Sequence, residues 1–283
     1  MIIDFHTHTF PSNVSARIVK SLAGVSRTLP FTDGSTEDLL RSMREAGIDY
    51  SVNLPVMTSP EQVEKINSSL ISSNETLREK GILTFGGLHP DYSNYRDEIL
   101  KLKNAGIPGI KLHPTYQGAD LRDPRILRLI DAANEAGLAV IIHAGWDIGI
   151  YDHDYAPVSQ ILEVLETVHP EKFILAHFGG WLNWTDVELY LAGAPVWLDT
   201  AFSLGKVTPN PDCAEPPFSS KTLDNESFLR IAGKHGMDKV LFATDSPWMD
   251  QSAYVRLFRD LPLTETEREQ IFHLNAEKLL GLA

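Results

Sequence analysis

Several residues stand where they could share one metal ion. His6 and His8 flank Thr7 in Asp4-Phe5-His6-Thr7-His8. His113 closes the run Gly109–His113, His143 closes Val140–His143, His177 closes Ile174–His177, and Asp245 closes Leu241–Asp245. Imidazole nitrogens with one carboxylate suit zinc, with manganese or iron as alternatives. A lone histidine of this kind is ordinarily a hydrogen-bonded core or rim residue. Independent structural roles do not put several imidazoles and an acid at the same ends of successive apolar runs. Buried polar groups need partners, and a shared divalent cation supplies one partner for all of them.

Those apolar runs are the elements that must position the set. Eight recur along the chain: Ile2–Phe5, Ser51–Val56, Ile82–Leu88, Gly109–Leu112, Ala139–Ile142, Phe173–Ala176, Val196–Leu198 and Val240–Ala243. They are apolar on both faces, as strands of a covered parallel sheet are. Helical patterns lie between them, among them Glu37–Ala46, Glu61–Lys80, Arg125–Ala136, Val158–Val168 and Asn225–His235. Several end in Ala-Gly or Lys-Gly before the next run, as at Gly47, Gly81, Gly106 and Gly137, which suits a helix C-terminus. The unit returns roughly every 30 residues, the length of a βα module. Eight such units predict an α/β fold, a (β/α)8 TIM barrel forming a single domain over residues 1–283. In that fold the C-terminal strand ends converge on one mouth. Strand alternation gives Asp4, His6 and His8 one parity and predicts that all three point inward. A doubly wound sheet would want a glycine-rich turn where His6-Thr7-His8 stands. The proline-rich stretch Thr208–Phe218 follows the seventh run and reads as either a lid or a stiff surface loop.

Composition narrows the setting. The chain has 283 residues, 25 basic and 38 acidic, a net charge of −13, ten histidines and one cysteine. A 43% hydrophobic share fills a core and excludes global disorder. One cysteine excludes a disulfide framework and a cysteine-cluster zinc site. The acidic balance disfavours nucleic acid as a partner, and no apolar run reaches the ~18 residues of a membrane span. No basic segment precedes an apolar stretch at the N-terminus, so the expectation is a cytoplasmic protein acting on a small molecule, with homo-oligomer formation left open.

The chain resembles the metal-dependent amidohydrolase superfamily, in the branch of small TIM-barrel hydrolases that includes the aminocarboxymuconate-semialdehyde decarboxylase type. The markers are Asp-Phe-His-Thr-His at 4–8, Gly-Ile-Lys-Leu-His-Pro at 109–114, Ile-His-Ala-Gly at 142–145, Ala-His-Phe-Gly-Gly at 176–180, Ala-Thr-Asp-Ser-Pro-Trp at 243–248 and Asn-Ala-Glu-Lys-Leu-Leu at 275–280. The resemblance implies that His6, His8, His143 and Asp245 hold one or two divalent ions, most readily Zn2+, with Mn2+ or Fe2+ as alternatives. It assigns His177 to the attacking water, the substrate oxygen or a second ion. Lys111 matches the position of a bridging carboxylated lysine in two-metal members. It reads equally as an internal lysine paired with Asp4 or with a substrate carboxylate.

The leading implied activity is hydrolysis of an amide, lactone or similar ester-like bond by an activated water, with Asp245 moving the proton. The alternative is non-oxidative decarboxylation of a small carboxylic acid. That chemistry wants a cationic clamp, for which Arg122 is nearest by position. A TatD-like nuclease draws on Gly-Leu-His-Pro at 87–90, but Lys111 stands where that group has glutamate. His113, His89 and Trp248 are candidate substrate contacts, with Trp181 and Trp184 as further aromatic walls. Asp4 is either an orienter of a ligand histidine or an acid satisfied by backbone. Asp147, Asp152, His153 and Asp154 form a polar cluster after the fifth run that reads either as a substrate contact or, by default, as a solvated loop.

Overall fold

The structure, a computed structural model, describes residues 1–216 and 221–282. Eight short strands follow in order: β1 (Ile3–Thr7), β2 (Tyr50–Asn53), β3 (Ile82–Thr84, continued by Gly86–Gly87), β4 (Gly109–Leu112), β5 (Ala139–Ile142), β6 (Phe173–Leu175), β7 (Trp197–Asp199) and β8 (Val240–Leu241). Each pairs with its neighbour in parallel. β3 is interrupted at Phe85, so its first part pairs with β2 and its second with β4. The ring closes between β1 and β8, where Phe5 N donates to Phe242 O at 2.8 Å and Asp245 N donates to His6 O at 2.9 Å. This is the (β/α)8 barrel that the repeat predicts.

Burial explains why the runs are apolar on both faces. Alternate residues such as Phe5, Val52, Leu54, Phe85 and Ile141 fill the barrel interior, which Ala276 and Leu279 join from the helix Asn275–Leu280. The intervening residues Ile110, Leu112, Val140, Ile142 and Leu175 pack outward against the helices. Each fully buried side chain of this size contributes about 1.5–3 kcal/mol.

The helices Thr36–Ala46, Glu61–Glu79, Pro124–Glu135, Val158–Thr167 and Asn225–His235 match the expected spans to within one residue at either end. Local chemistry sets several starts. Ser35, Asp123 and Asp224 each accept a backbone N–H at a helix N-terminus. β2 ends before its expected limit at Val56, because Pro55 has no N–H to continue the ladder.

One expectation fails on β1. Ile3 and Phe5 belong to the barrel interior, so Asp4 lies on the other side of the strand. There it accepts from Thr244 N at 2.9 Å, Thr244 Oγ1 at 2.6 Å and Gln251 Nε2 at 2.7 Å. A register shift between Asp4 and Thr7 sets an extra residue against β2. Such a bulge reverses the alternation and turns His6 toward the mouth.

The described part of the proline-rich stretch is tied to the chain at Arg27–Leu29, where Leu29 N donates to Thr208 O and Asn210 N donates to Arg27 O. None of it lines the central cavity. Pro217 and Phe218 lie outside the described residues. No described helix is long and apolar enough to cross a membrane.

Candidate metal centre

The C-terminal strand ends bring His6, His8, His143, His177, Lys111 and Asp245 to one end of a cavity of about 1020 Å³. His6 Nε2 is 3.2 Å from His8 Nε2 and 3.5 Å from Asp245 Oδ1. His8 Nε2 is 3.2 Å from the same carboxylate oxygen. Across the mouth, His177 Nε2 is 2.9 Å from His143 Nδ1. Lys111 Nζ is 3.4 Å from His6 Nε2.

The outer nitrogens of the four imidazoles settle the question of fit. His6 Nδ1 donates to Asp199 Oδ2 at 2.7 Å, and His8 Nδ1 donates to Leu54 O at 2.7 Å. His177 Nδ1 donates to Ala201 O at 3.0 Å, and His143 Nε2 donates to Trp146 O at 3.0 Å. A carbonyl or carboxylate only accepts, so each of these outer nitrogens carries the ring proton. The tautomers are thus assigned by the partners. Each neutral ring then presents an inner lone pair. The short contacts between inner nitrogens put lone pair against lone pair, with no proton to share. A cation among them removes that repulsion, so the donor set fits a divalent metal.

Charge state agrees. Burial pushes the pKa of His143 and His177 down to about 3, and lowers those of His6 and His113 as well. The rings are therefore neutral at ordinary pH and able to ligate. Burial also lowers the Lys111 amine, while the carboxylates of Asp199 and Asp245 pull it back up. Burial raises Asp199, against the lowering influence of Lys111.

The backbone is shaped to hold this cluster. His177 has φ +59°, Phe178 +56° and Asp245 +65°, a left-handed region that non-glycine residues seldom occupy. Such strain costs of order 1–3 kcal/mol per residue and concentrates at functional sites. Gly145 has φ +79°, and a Cβ there would stand 2.5 Å from both Trp181 N and Trp181 O. Only glycine lets the loops after β5 and β6 pair this closely, through Trp181 N to Ala144 O at 2.9 Å and Trp146 N to Trp181 O at 3.2 Å.

Other expectations divide. His113 and Trp248 line the cavity, and Trp181 does too. His89 does not: it is buried beside β3, and its Nδ1 accepts from Asp91 N at 3.2 Å. Trp184 lies outside as well, donating its indole N–H to His177 O at 3.1 Å. Arg122 is 59% exposed and 3.9 Å from Glu163, so it is no clamp at the mouth. Asp4 neither orients a ligand ring nor pairs with Lys111, because its oxygens are taken by Thr244, Gln251 and His6 N. Asp147, expected in a solvated loop, is buried and lines the cavity.

Asp199 was missed altogether. It is fully buried, and its Oδ1 accepts from His177 N at 2.9 Å and Ala201 N at 3.0 Å while its Oδ2 holds His6. One signal was available: an acid ends the seventh strand as Asp245 follows the eighth.

Residues 3–282 match the family model described as amidohydrolase. No curated protein matches the chain significantly. Among solved structures, a TIM-barrel protein from Bordetella bronchiseptica is 18% identical over 99% of this chain and 98% of its own, with a TM-score of 0.73. A 2,6-dihydroxybenzoate decarboxylase from Rhizobium is 14% identical over 99% of this chain and 98% of its own, with a TM-score of 0.70. A dihydroxybenzoic acid decarboxylase from a Polaromonas species, solved with manganese and the inhibitor 2-nitroresorcinol, is 14% identical over 99% and 97%, also at 0.70. At these identities the likeness is one of fold.

Proposed function

This chain belongs to the amidohydrolase family, and from that premise we propose that it removes carbon dioxide, without oxidation, from a small carboxylic acid in a metal-dependent reaction. The observation that carries the reading is Lys111, an amine 1% exposed and 3.4 Å from His6 Nε2 at the metal end of a largely apolar cavity. A buried cation needs an anion. Of the two carboxylates that act on Lys111, Asp199 is engaged by His6, His177 and Ala201, and Asp245 faces the inner nitrogens of His6 and His8. A substrate carboxylate beside Lys111 supplies the anion; no arginine lines the described cavity, where Lys65 is the other lysine. Structural likeness to solved decarboxylases supports the same direction. Hydrolysis of an amide or lactone, the first expectation from sequence, would use the same ligands but needs no buried cation.

His6, His8, His143 and Asp245 would hold the ion, zinc or manganese, which supplies Lewis acidity to draw electrons from the substrate as its carbon–carbon bond breaks. The protein's own groups then divide the work. Lys111 orients the departing carboxylate. The bond electrons stay on the substrate carbon, and the Asp245 carboxyl delivers a proton to it. Solvent supplies the replacement proton, which His177 Nε2, an acceptor in its assigned tautomer, relays to Asp245, so each turnover consumes one proton and releases one carbon dioxide. Trp146, Trp181 and Trp248 wall the cavity and suit a flat substrate.

The test is direct. Zinc- or manganese-loaded protein is given a panel of aromatic and unsaturated acids, with lactones and amides in parallel. Release of carbon dioxide from an acid, without turnover of the lactones or amides, is the expected result. Turnover of lactones or amides alone would overturn the reading.

A further inference from the structure

We propose that His113 and Asp147 form a subsite for a hydroxyl group of the substrate, beside the metal-ligand cluster but outside it. The inference rests on the reading above only in taking the cavity to be the substrate's.

Both side chains are buried, at 5% and 6% exposure, and both line the cavity. His113 caps the helix Pro114–Gln117, its Nδ1 accepting from Tyr116 N at 3.3 Å. That acceptance leaves the ring proton on Nε2. Stacking on His143, with centroids 4.2 Å apart and planes 16° from parallel, fixes the ring's direction. Asp147 is held from its other end. Its Oδ1 accepts from Gly149 N at 2.8 Å and Ile150 N at 3.0 Å.

The second oxygen is what calls for a ligand. Asp147 Oδ2 stands 3.9 Å from His113 Nε2 and 3.9 Å from His143 Nε2. Both gaps are too long for a direct hydrogen bond. The His143 proton is already given to Trp146 O. So a donor, His113 Nε2–H, and an acceptor, Asp147 Oδ2, both on largely buried residues and both open to the cavity, stand close enough for one oxygen atom to bridge them. An oxygen about 2.8 Å from each would satisfy both.

The chemistry of that oxygen is specified. It must accept from His113 and donate to Asp147. A hydroxyl does both. A carbonyl or ether oxygen only accepts, an ammonium only donates, and a methyl group would leave both buried groups unsatisfied at a cost of about 1–3 kcal/mol each. The site therefore selects an alcohol or phenol. On the proposed reaction, the substrate is a hydroxylated acid whose hydroxyl reaches this pair while its carboxylate reaches Lys111.

Isosteric ligand pairs test this without turnover. The 2-, 3- and 4-hydroxybenzoates and the matching methylbenzoates are titrated calorimetrically into metal-loaded protein. At least one hydroxybenzoate should bind tenfold or more tightly than its methyl twin. Asp147→Asn and His113→Phe should each cut that preference to under threefold, and His113→Gln, which keeps a donor, should recover part of it. Metal content and melting temperature show that each variant is folded and loaded. Wild-type protein that separates no pair, or binds none of them, would overturn the subsite and leave the gap to a structural water. So would a preference that survives in both variants. Carbon dioxide release without any hydroxyl preference defeats the subsite alone. A preference without carbon dioxide release defeats the decarboxylase reading alone.

Discussion

His6 Nδ1 lies 2.7 Å from Asp199 Oδ2, an acid 193 residues further along the chain. The contact fixes the ring's tautomer, so that His6 Nε2 faces Asp245 and His8 with its lone pair free. Asp199 also accepts from the backbone N–H of His177, and so ties two walls of the site together.

Asp199→Asn should weaken metal binding. The amide has one acceptor oxygen where the carboxylate uses two, so either His6 or the His177 backbone loses its partner. Loss of such an outer partner typically costs 10- to 100-fold in metal affinity. Competition against a chelator of known affinity measures it. Affinity within threefold of wild type would refute the role.

Asp245→Asn removes both the carboxylate that faces the Nε2 atoms of His6 and His8 and the proposed proton carrier. Turnover should fall by roughly 10²- to 10⁴-fold. Melting of the metal-free protein should move little, because the Asp245 carboxylate is not part of the packed core. Single-turnover product formation at wild-type speed would rule out the proton-transfer role.

Lys111→Met keeps the length and the burial but deletes the charge. A charge-assisted hydrogen bond contributes about 1.5–3 kcal/mol, so kcat/KM for the acid should drop roughly 10- to 150-fold. The loss should be much smaller in the affinity of a ligand that lacks a carboxylate. Equal losses for both would point away from carboxylate binding.

Removing the metal should destabilise the fold. An ion present at 100 times its Kd stabilises by about 2.7 kcal/mol. For a chain of this size that corresponds to roughly 5–10 °C in melting temperature. Scanning calorimetry with and without chelator reads the difference, and an unchanged melting temperature would count against the site.

Metal-free protein should lose stability as pH falls from 7 to 5. Burial lowers the pKa of six imidazoles: His143 and His177 to about 3, His235 to about 4, and His6, His89 and His113 by direction. Between those values and the unfolded value near 6.5, the unfolded chain binds more protons, so acidification favours unfolding. Four carboxyls oppose this. Burial raises Asp4 and Asp147 to about 6, and raises Asp154 and Asp199, so over that window the folded chain binds more protons. The imidazoles outnumber them, and each net group contributes at most about 1.4 kcal/mol per pH unit. A melting temperature that rises on acidification would contradict this balance.

The sequence by itself determined the barrel and most of the cluster. Apolar runs at βα spacing, several of them ended by a histidine or an aspartate, are local patterns, and a parallel barrel turns them into one mouth because every strand points the same way. Helix boundaries were legible for the same reason, since caps and glycine ends act within a few residues. Tertiary structure decided what depends on contacts across the ring. Asp199 reaches His6 only once β7 stands near β1, and no spacing along the chain records that. The bulge in β1 sent Asp4 outward and His6 inward, because register is a property of the paired strands and not of one strand's alternation. Packing buried His89 beside β3, left Arg122 exposed and brought Asp147 into the cavity lining, because whether a loop side chain faces water or cavity is settled by the loop packed beside it.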